Sequence, residues 1–375
     1  MNFKINKLKF YEALSISARA VSSNSPVPIL CGIMLEAKND TLTLTSSDAT
    51  LSIQTVLSNT IDENTGLSII DEGTIVIDAK YLLDIVKKID SSVVSIEILD
   101  GTLTHFGGEK AEFRINGYRP SDYPFIDFNE PSTRFELSYE DLNNMISSTI
   151  FAASVKETRP VLTGINMNSD KTAITCTATD SFRLARKILK TETEPFSITV
   201  PAKCLNEVRS IFSSQEKISI SLSEKLIQFR TGSVILQSTL LEGNYPETNR
   251  LIPTVFNNTM KINRRSLISA IDRSSFIKTD NMTIIRMEIN GADDILVSSK
   301  SQEIGEYNES LAAESYEGMP IDISFAGNYL SDALKALSTD NVVIRFTENM
   351  KPFVITNDSE DDSILQLVLP VRTYN

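Results

Sequence analysis

Hydrophobic positions along this chain switch between two spacings, and the order of the switches recurs. The segment FKINKLKFYEALSISARAVSSNSPVPILCGIMLEA, from Phe3, alternates briefly, then sets apolar residues three and four apart, then alternates again. The same order returns from Phe135 in FELSYEDLNNMISSTIFAASVKETRPVLTGINMNS and from Met260 in MKINRRSLISAIDRSSFIKTDNMTIIRMEING. Three-to-four spacing buries a helical stripe and alternation buries one face of a strand, so each segment predicts a short strand, a helix of about four turns and a further strand.

A second landmark keeps nearly the same period, roughly 125 residues. TIVIDAKYLLDIVKKI from Thr74, FSITVPAKCLNEVRSIF from Phe196 and IDISFAGNYLSDALKAL from Ile321 each run a strand into a helix that starts on Ala79, Ala202 or Gly327. Leu82, Leu205 and Leu330 follow three residues later, and alternating strands come next, in VVSIEILDGTLTHF, KISISLSEKLIQFR and VVIRFTENMKPFVIT. Each third therefore reads as β-α-β-β-β written twice, an α+β class with helices laid on one face of antiparallel sheets. Linker-like stretches at 118–131 and 243–254, YRPSDYPFIDFNEP and GNYPETNRLIPT, divide the chain into domains at 1–127, 128–252 and 253–375.

Composition narrows the class. With 375 residues and 41% hydrophobic content the chain can bury two or three cores. No apolar run reaches membrane-spanning length and the N-terminus lacks the apolar core of a signal peptide, so the expected location is the cytoplasm. Cys31, Cys176 and Cys204 are isolated and odd in number, which predicts buried free thiols and no metal site. A net charge of -13 argues against gripping nucleic acid with the whole surface but leaves room for a local basic face.

Enzymatic motifs are missing. There is one histidine, His105, on the alternating strand LTHF, with no partner for a triad or a metal. No phosphate loop, nucleophile elbow, HExxH or CxxC occurs, and Gly107-Gly108 reads as a hairpin turn. A non-catalytic binding protein without cofactor follows. The stretch best suited to recognition is Thr158–Leu189, where the turn Thr179-Asp180-Ser181 runs into an aromatic, a guanidinium and an aliphatic at Phe182, Arg183 and Leu184. Such a triplet alone is a common turn whose Asp and Ser bond their own backbone.

The tandem duplication, with NSPVPILCGI at 24–33, TRPVLTGI at 158–165, ATDSFRLA at 178–185, GNYPETNRLIP at 243–253 and LVLPVRTY at 367–374, resembles the bacterial sliding clamp family, the β subunit of DNA polymerase III, across essentially the full chain. The resemblance implies a homodimeric ring of six domains that encircles duplex DNA and tethers the polymerase. Twelve helices about 8 to 10 Å apart give a circumference of roughly 100 to 120 Å. That leaves a hole of roughly 20 to 28 Å, wide enough for a duplex held by its phosphates.

Under that resemblance the helices should be basic where they face DNA. Lys7, Lys9 and Arg19 fall in the first helix, Lys80, Lys87 and Lys88 in the second, Lys156 at the end of the third, Lys203 and Arg209 in the fourth, Arg264, Arg265 and Arg273 in the fifth and Lys335 in the sixth. Asn24 stands where the family often has a basic residue. Ring closure is implied to use Phe113 and Ile115 against Phe276 and Ile277, with Lys110 and Arg114 meeting an acidic edge that holds Glu303 and Glu306.

The implied groove for partner peptides, from the polymerase, the clamp loader and repair proteins, has two walls. One is Leu162, Thr179, Ser181, Phe182, Arg183, Leu184, Pro246, Arg250 and Leu251. The other is Met350, Pro352, Leu367, Val368, Leu369, Pro370, Val371 and Arg372, with the tail Thr373-Tyr374-Asn375 beyond. Phe182, where the family often has histidine, should make its wall more apolar. Two readings stand beside this one: a monomeric multi-domain peptide-binding scaffold, and an enzyme centred on Asp48 or Asp180.

Overall fold

The computed structural model describes residues 1–22, 26–213, 215–278 and 282–372. Asn24 and Thr373-Tyr374-Asn375, which entered the sequence reading, lie outside the described residues.

The first third runs β1 (Asn2–Asn6), α1 (Lys7–Ser17), β2 (Gly32–Lys38), β3 (Thr41–Ser47), β4 (Leu51–Leu57), β5 (Ser68–Asp71), β6 (Gly73–Asp78), α2 (Ala79–Lys88), β7 (Val93–Asp100), β8 (Leu103–Gly107) and β9 (Glu112–Asn116). The second runs β10 (Thr133–Ser138), α3 (Tyr139–Ser147), β11 (Gly164–Ser169), β12 (Ala173–Thr179), β13 (Arg183–Lys190), β14 (Phe196–Pro201), α4 (Ala202–Ile211), β15 (Lys217–Leu222), β16 (Leu226–Thr231) and β17 (Val234–Thr239). The last runs β18 (Asn258–Asn263), α5 (Arg264–Ser274), β19 (Ile284–Gly291), β20 (Asp294–Ser301), β21 (Gly305–Leu311), β22 (Ser315–Glu317), β23 (Ile321–Ala326), α6 (Gly327–Lys335), β24 (Asn341–Phe346), β25 (Phe353–Asn357) and β26 (Ile364–Val368). Leaving aside the short β5 and β22, this is the twice-written β-α-β-β-β unit in every third.

The helices are shorter than the expected four turns, at 9 to 11 residues. At the end of α3 the reason is local: the hydroxyls of Ser147 and Thr149 bond back to the carbonyls of Asn144 and Met145, and Ser148 bonds the Asn144 side chain, so the backbone leaves the helix. Lys156 consequently lies in the loop after α3 and not on it, and Arg19 lies in a 3-10 turn after α1. α1, α2 and α5 start on a side-chain cap. Asn6 Oδ1 accepts from Leu8 N at 2.9 Å, Asp78 Oδ1 from Lys80 N at 3.0 Å and Asn263 Oδ1 from Ser266 N at 3.0 Å. α6 has no such cap, and its first residue is glycine because a Cβ there would sit 2.7 Å from Ile285.

Strand exchange ties the two halves of each third together. β1 pairs with β7 and β6 with β2, β10 with β15 and β14 with β11, β18 with β24 and β23 with β19, all antiparallel. Neither half has a complete sheet without the other. The thirds are then stitched by a second kind of pairing, β4 with β17 and β13 with β26.

The chain divides into two compact units. One comprises Met1–Glu140 with Lys203–Leu240, the other Asp141–Ala202 with Leu241–Asn375. The first unit holds the sheets β5-β1-β7-β8-β9 and β10-β15-β16-β17-β4-β3-β2-β6. Its core gathers Phe3, Phe10 and Leu14 with Ile33, Leu35, Leu82 and Phe106. Phe3 and Phe10 meet edge to face at 6.2 Å. The second unit holds β14-β11-β12-β13-β26-β25-β24-β18-β22 and β21-β20-β19-β23. Its core centres on Phe325, Phe346 and Phe353, whose ring centroids lie 5.4 and 5.5 Å apart, under Leu267, Leu330 and Leu334. Each such fully buried side chain contributes about 1.5–3 kcal/mol.

Cys176 and Cys204 are buried free thiols, as expected, while Cys31 is only half-buried and donates to Ser22 O at 3.4 Å. His105 lies 3.7 Å from Glu112 across the β8–β9 hairpin.

Candidate functional site

The β12–β13 turn is built by its own side chains. Asp180 Oδ1 accepts from Phe182 N (2.9 Å) and Arg183 N (3.1 Å), Thr179 Oγ1 accepts from Ser181 N (3.1 Å), and the same hydroxyl donates to Arg183 O (2.6 Å). Closing so tight a loop puts Ser181 in the left-handed region, at φ +78°. The consequence is a divergence of neighbours. Phe182 points outward, 57% exposed, while Arg183 turns in with its side chain 12% exposed. The Arg183 guanidinium donates to Asp180 Oδ2 at 3.0 Å and Asp332 Oδ2 at 2.6 Å, with the Tyr329 ring 4.6 Å and the Phe151 ring 5.5 Å from its carbon.

Register places the rest of the site. Arg183 pairs with Val368 and Val368 with Phe353, so Phe182, Leu369 and Pro352 come one step beyond the same row. Leu369 N donates to Phe182 O at 3.0 Å and Val371 N to Ser324 O at 2.7 Å, which pins the extended segment that follows β26. Beneath lies an apolar floor of Leu184, Val354, Leu365 and Leu367, with Ile252, Phe256 and Leu369 packed on it. Leu251 and Met350 stand 53% and 50% exposed, and Pro246, Arg250 and Arg372 are exposed too.

The sequence-selected residues thus divide. Leu162, Thr179, Leu184, Leu367 and Val368 are buried and form floor or frame, whereas Ser181, Phe182, Pro246, Arg250, Leu251, Met350 and Arg372 present surface. Pro352, Leu369, Pro370 and Val371 are half-buried. Sequence reasoning missed Val354 and Leu365, which alternation in FVIT and ILQLV signalled, and it missed Asp332, Tyr329 and Phe151, which nothing local could reveal.

The first third carries an internal control. In the β3–β4 turn Asp48 Oδ1 accepts from Thr50 N and Leu51 N at 3.0 and 2.8 Å, Ala49 has φ +79°, and Thr239 N donates to Thr50 O at 2.9 Å. The turn is the same, but the floor differs. Positions matching Leu184, Val354, Leu365 and Leu367 by register are Ser52, Gln228, Ile235 and Gln237, and the two glutamines bond each other and the carbonyls of Phe128 and Asp127. The turn belongs to the repeat, and the apolar floor belongs to one copy of it.

Basic residues also sort by environment. Lys80, Lys87, Lys335 and Arg265 are exposed, Lys88 lies 3.5 Å from Asp84, and Arg209 is half-buried. Lys203 is paired with the carboxylate of Asp48. Arg264 donates from Nε to Thr339 O at 2.8 Å, and Arg273 is held by Glu309, beside the Tyr307 hydroxyl. Of the residues chosen for ring closure, Phe276 is 63% exposed, Lys110, Arg114, Glu303 and Glu306 are exposed, and Phe113 and Ile115 are half-buried against the first unit's core. Ile277 is 2% exposed, so its side chain serves the core, not a partner.

Comparison with known proteins decides what this arrangement is. The family models for the DNA polymerase III beta subunit match residues 1–127 (N-terminal domain), 136–247 (central domain) and 249–372 (C-terminal domain). The beta sliding clamp of Bacillus subtilis is 36% identical over 379 residues, covering both chains fully. The chain belongs to the DNA polymerase III beta subunit family, the beta sliding clamps. The clamp of Staphylococcus epidermidis is likewise 36% identical over 377 residues and all of both chains. The crystal structure of the Bacillus subtilis clamp superposes with a TM-score of 0.95 over the whole of both chains, at 36% identity. That of the Streptococcus pneumoniae beta chain gives 0.94 over 99% of this chain and all of the other, at 31% identity. Beta sliding clamps are non-catalytic: the chain is a DNA sliding clamp that encircles duplex DNA without reading sequence and confers processivity on the replicative polymerase. No helix among the described residues is long and apolar enough to cross a membrane.

Proposed function

We propose that this clamp works in the cytoplasm as a closed ring of two copies, each contributing domains 1–127, 128–252 and 253–375, and that it docks the catalytic subunit of DNA polymerase III, the clamp loader and repair proteins through short peptides. One observation carries the ring. The third strand after the first helix pairs with the last strand of the following third in β4–β17 and in β13–β26. The repeat calls for a further pairing of the same kind, from β21 to a β9, and both β21 and β9 stand at the edges of their sheets. A second copy meets that requirement twice, head to tail, and closes the ring.

Phe113 and Ile115 on β9 and Phe276 near β21 supply apolar area to that joint, with Lys110 and Arg114 facing Glu303 and Glu306 to fix register. DNA contact falls to Lys80, Lys87, Lys88, Arg265 and Lys335, with Lys156, Lys203, Arg209 and Arg264 more constrained. Their sparse charges suit phosphate contact that permits sliding. The peptide site is the apolar floor together with the exposed Phe182, Leu251 and Met350, with Arg250 and Arg372 as its polar groups, the mixture of apolar lining and few polar groups that a peptide site needs.

Sedimentation equilibrium tests the ring. The wild type should sediment at twice the chain mass and Phe276→Asp at the single-chain mass. A wild type that sediments as one chain contradicts it and leaves the monomeric scaffold.

A further inference from the structure

The turn that presents Phe182 is held from a helix outside the groove. We infer that Asp332, on α6, is a positioning residue for peptide docking: by fixing Arg183 it sets the conformation in which the Thr179–Arg183 turn meets its ligand. This inference rests on the groove reading above and names what regulates that site.

The two carboxylate oxygens of Asp180 do different work. Oδ1 closes the turn on Phe182 N and Arg183 N, and Oδ2 takes the Arg183 guanidinium. The guanidinium then reaches Asp332 through its other arm, at 2.6 Å. Rings cover it at Tyr329, also on α6, and at Phe151. Turn, guanidinium and helix form one connected chain of charge-assisted bonds, the kind most demanding of geometry. A shift of the turn on ligand binding must be felt at Tyr329.

The other unit repeats the device with different residues. Asp48 closes the β3–β4 turn through Oδ1, and its Oδ2 takes the ammonium of Lys203 on α4. α4 is the second helix of the third that follows that turn, as α6 is of the third that follows β13. In one case the turn supplies the anion to the helix, in the other the cation. A tie rebuilt with opposite charges is a feature of the repeat and not an accident of one pair.

The test uses the full-length protein and a fluorescein-labelled synthetic hexapeptide carrying one leucine and one phenylalanine, read by anisotropy. In parallel, the protein is grown with 3-fluorotyrosine, and the Tyr329 resonance is assigned with Tyr329→Phe. Asp332→Asn should weaken peptide binding about tenfold, Asp332→Glu should restore it, and the Tyr329 fluorine resonance of the wild type should move as peptide saturates. Unchanged affinity in Asp332→Asn with a silent Tyr329 would overturn it while leaving the groove reading intact. Weakening in Asp332→Asn that Asp332→Glu does not relieve, with Tyr329 silent, would mark a merely structural role and also overturn it. A wild type that binds no peptide would overturn the groove reading and this inference together.

Discussion

Lys7, the first residue of α1, donates its ammonium to the carbonyl of Ile89 at the end of α2, at 2.5 Å. The matching residue of each third does the same to the matching helix: the Tyr139 hydroxyl donates to Arg209 O at 3.1 Å, and Arg264 Nη1 to Leu334 O at 3.4 Å. A cation at a helix C-terminus meets unsatisfied carbonyls and the negative end of the dipole. Lys7 and Arg264 are therefore spent largely on joining the paired helices. Arg264→Met should cost about 1 kcal/mol of stability and leave residence on DNA nearly unchanged, whereas Arg265→Glu with Lys335→Glu should shorten residence at unchanged stability. Thermal melts beside a DNA-retention assay separate the two.

Ser181 holds a left-handed conformation, φ +78°, that serine adopts at a cost and glycine freely. Ser181→Gly should be neutral or stabilising, and Ser181→Val destabilising by about 1–2 kcal/mol, because a branched Cβ fits that region worst. Denaturant unfolding of the three proteins checks the order.

Burial alone would raise the Asp48 carboxyl, but hydrogen bonds from Leu51, Lys203 and Thr50 outweigh it and hold the group below the ordinary carboxylate range. A carboxylate lowered in the folded state adds stability that is fully present above its unfolded pKa and is lost as pH falls through the folded value. Wild-type stability should accordingly fall below about pH 4. Asp48→Asn should cost about 1–2 kcal/mol at pH 7 and show a shallower acid loss. Denaturant midpoints between pH 7 and pH 2.5 check both.

Burial pushes the Cys176 and Cys204 thiols up to about 12, while Cys31 is half-buried. Iodoacetamide at pH 8 should modify one thiol in the native protein, Cys31, because the thiolate is the nucleophile. Peptide mass mapping that finds Cys176 or Cys204 alkylated before unfolding would contradict the core described here.

Much of the fold was legible because its signal is periodic. Helix starts at Ala79, Ala202 and Gly327 are where the sequence places them, since small residues and spaced leucines leave few alternatives. Helix ends were less legible, as at Ser147–Thr149, where hydroxyls compete for the carbonyls and so strand Lys156 in a loop. The groove was half legible. Phe182 and Leu184 announce themselves beside a turn, but the polar twin of that turn at Asp48 shows that the turn alone does not make a docking site. What distinguishes them is the pair of strands that arrives from the next third, Leu365–Leu367 in one case and Ile235–Gln237 in the other. The ties from Arg183 to Asp332 and from Lys203 to Asp48 were invisible, because each joins residues about 150 apart in sequence.

Encirclement is tested by retention of the loaded protein on a nicked circular plasmid and on the same plasmid after linearisation. A ring held by topology stays on the circle and runs off the free ends, with little dependence on sequence. Equal retention on circle and line would contradict encirclement.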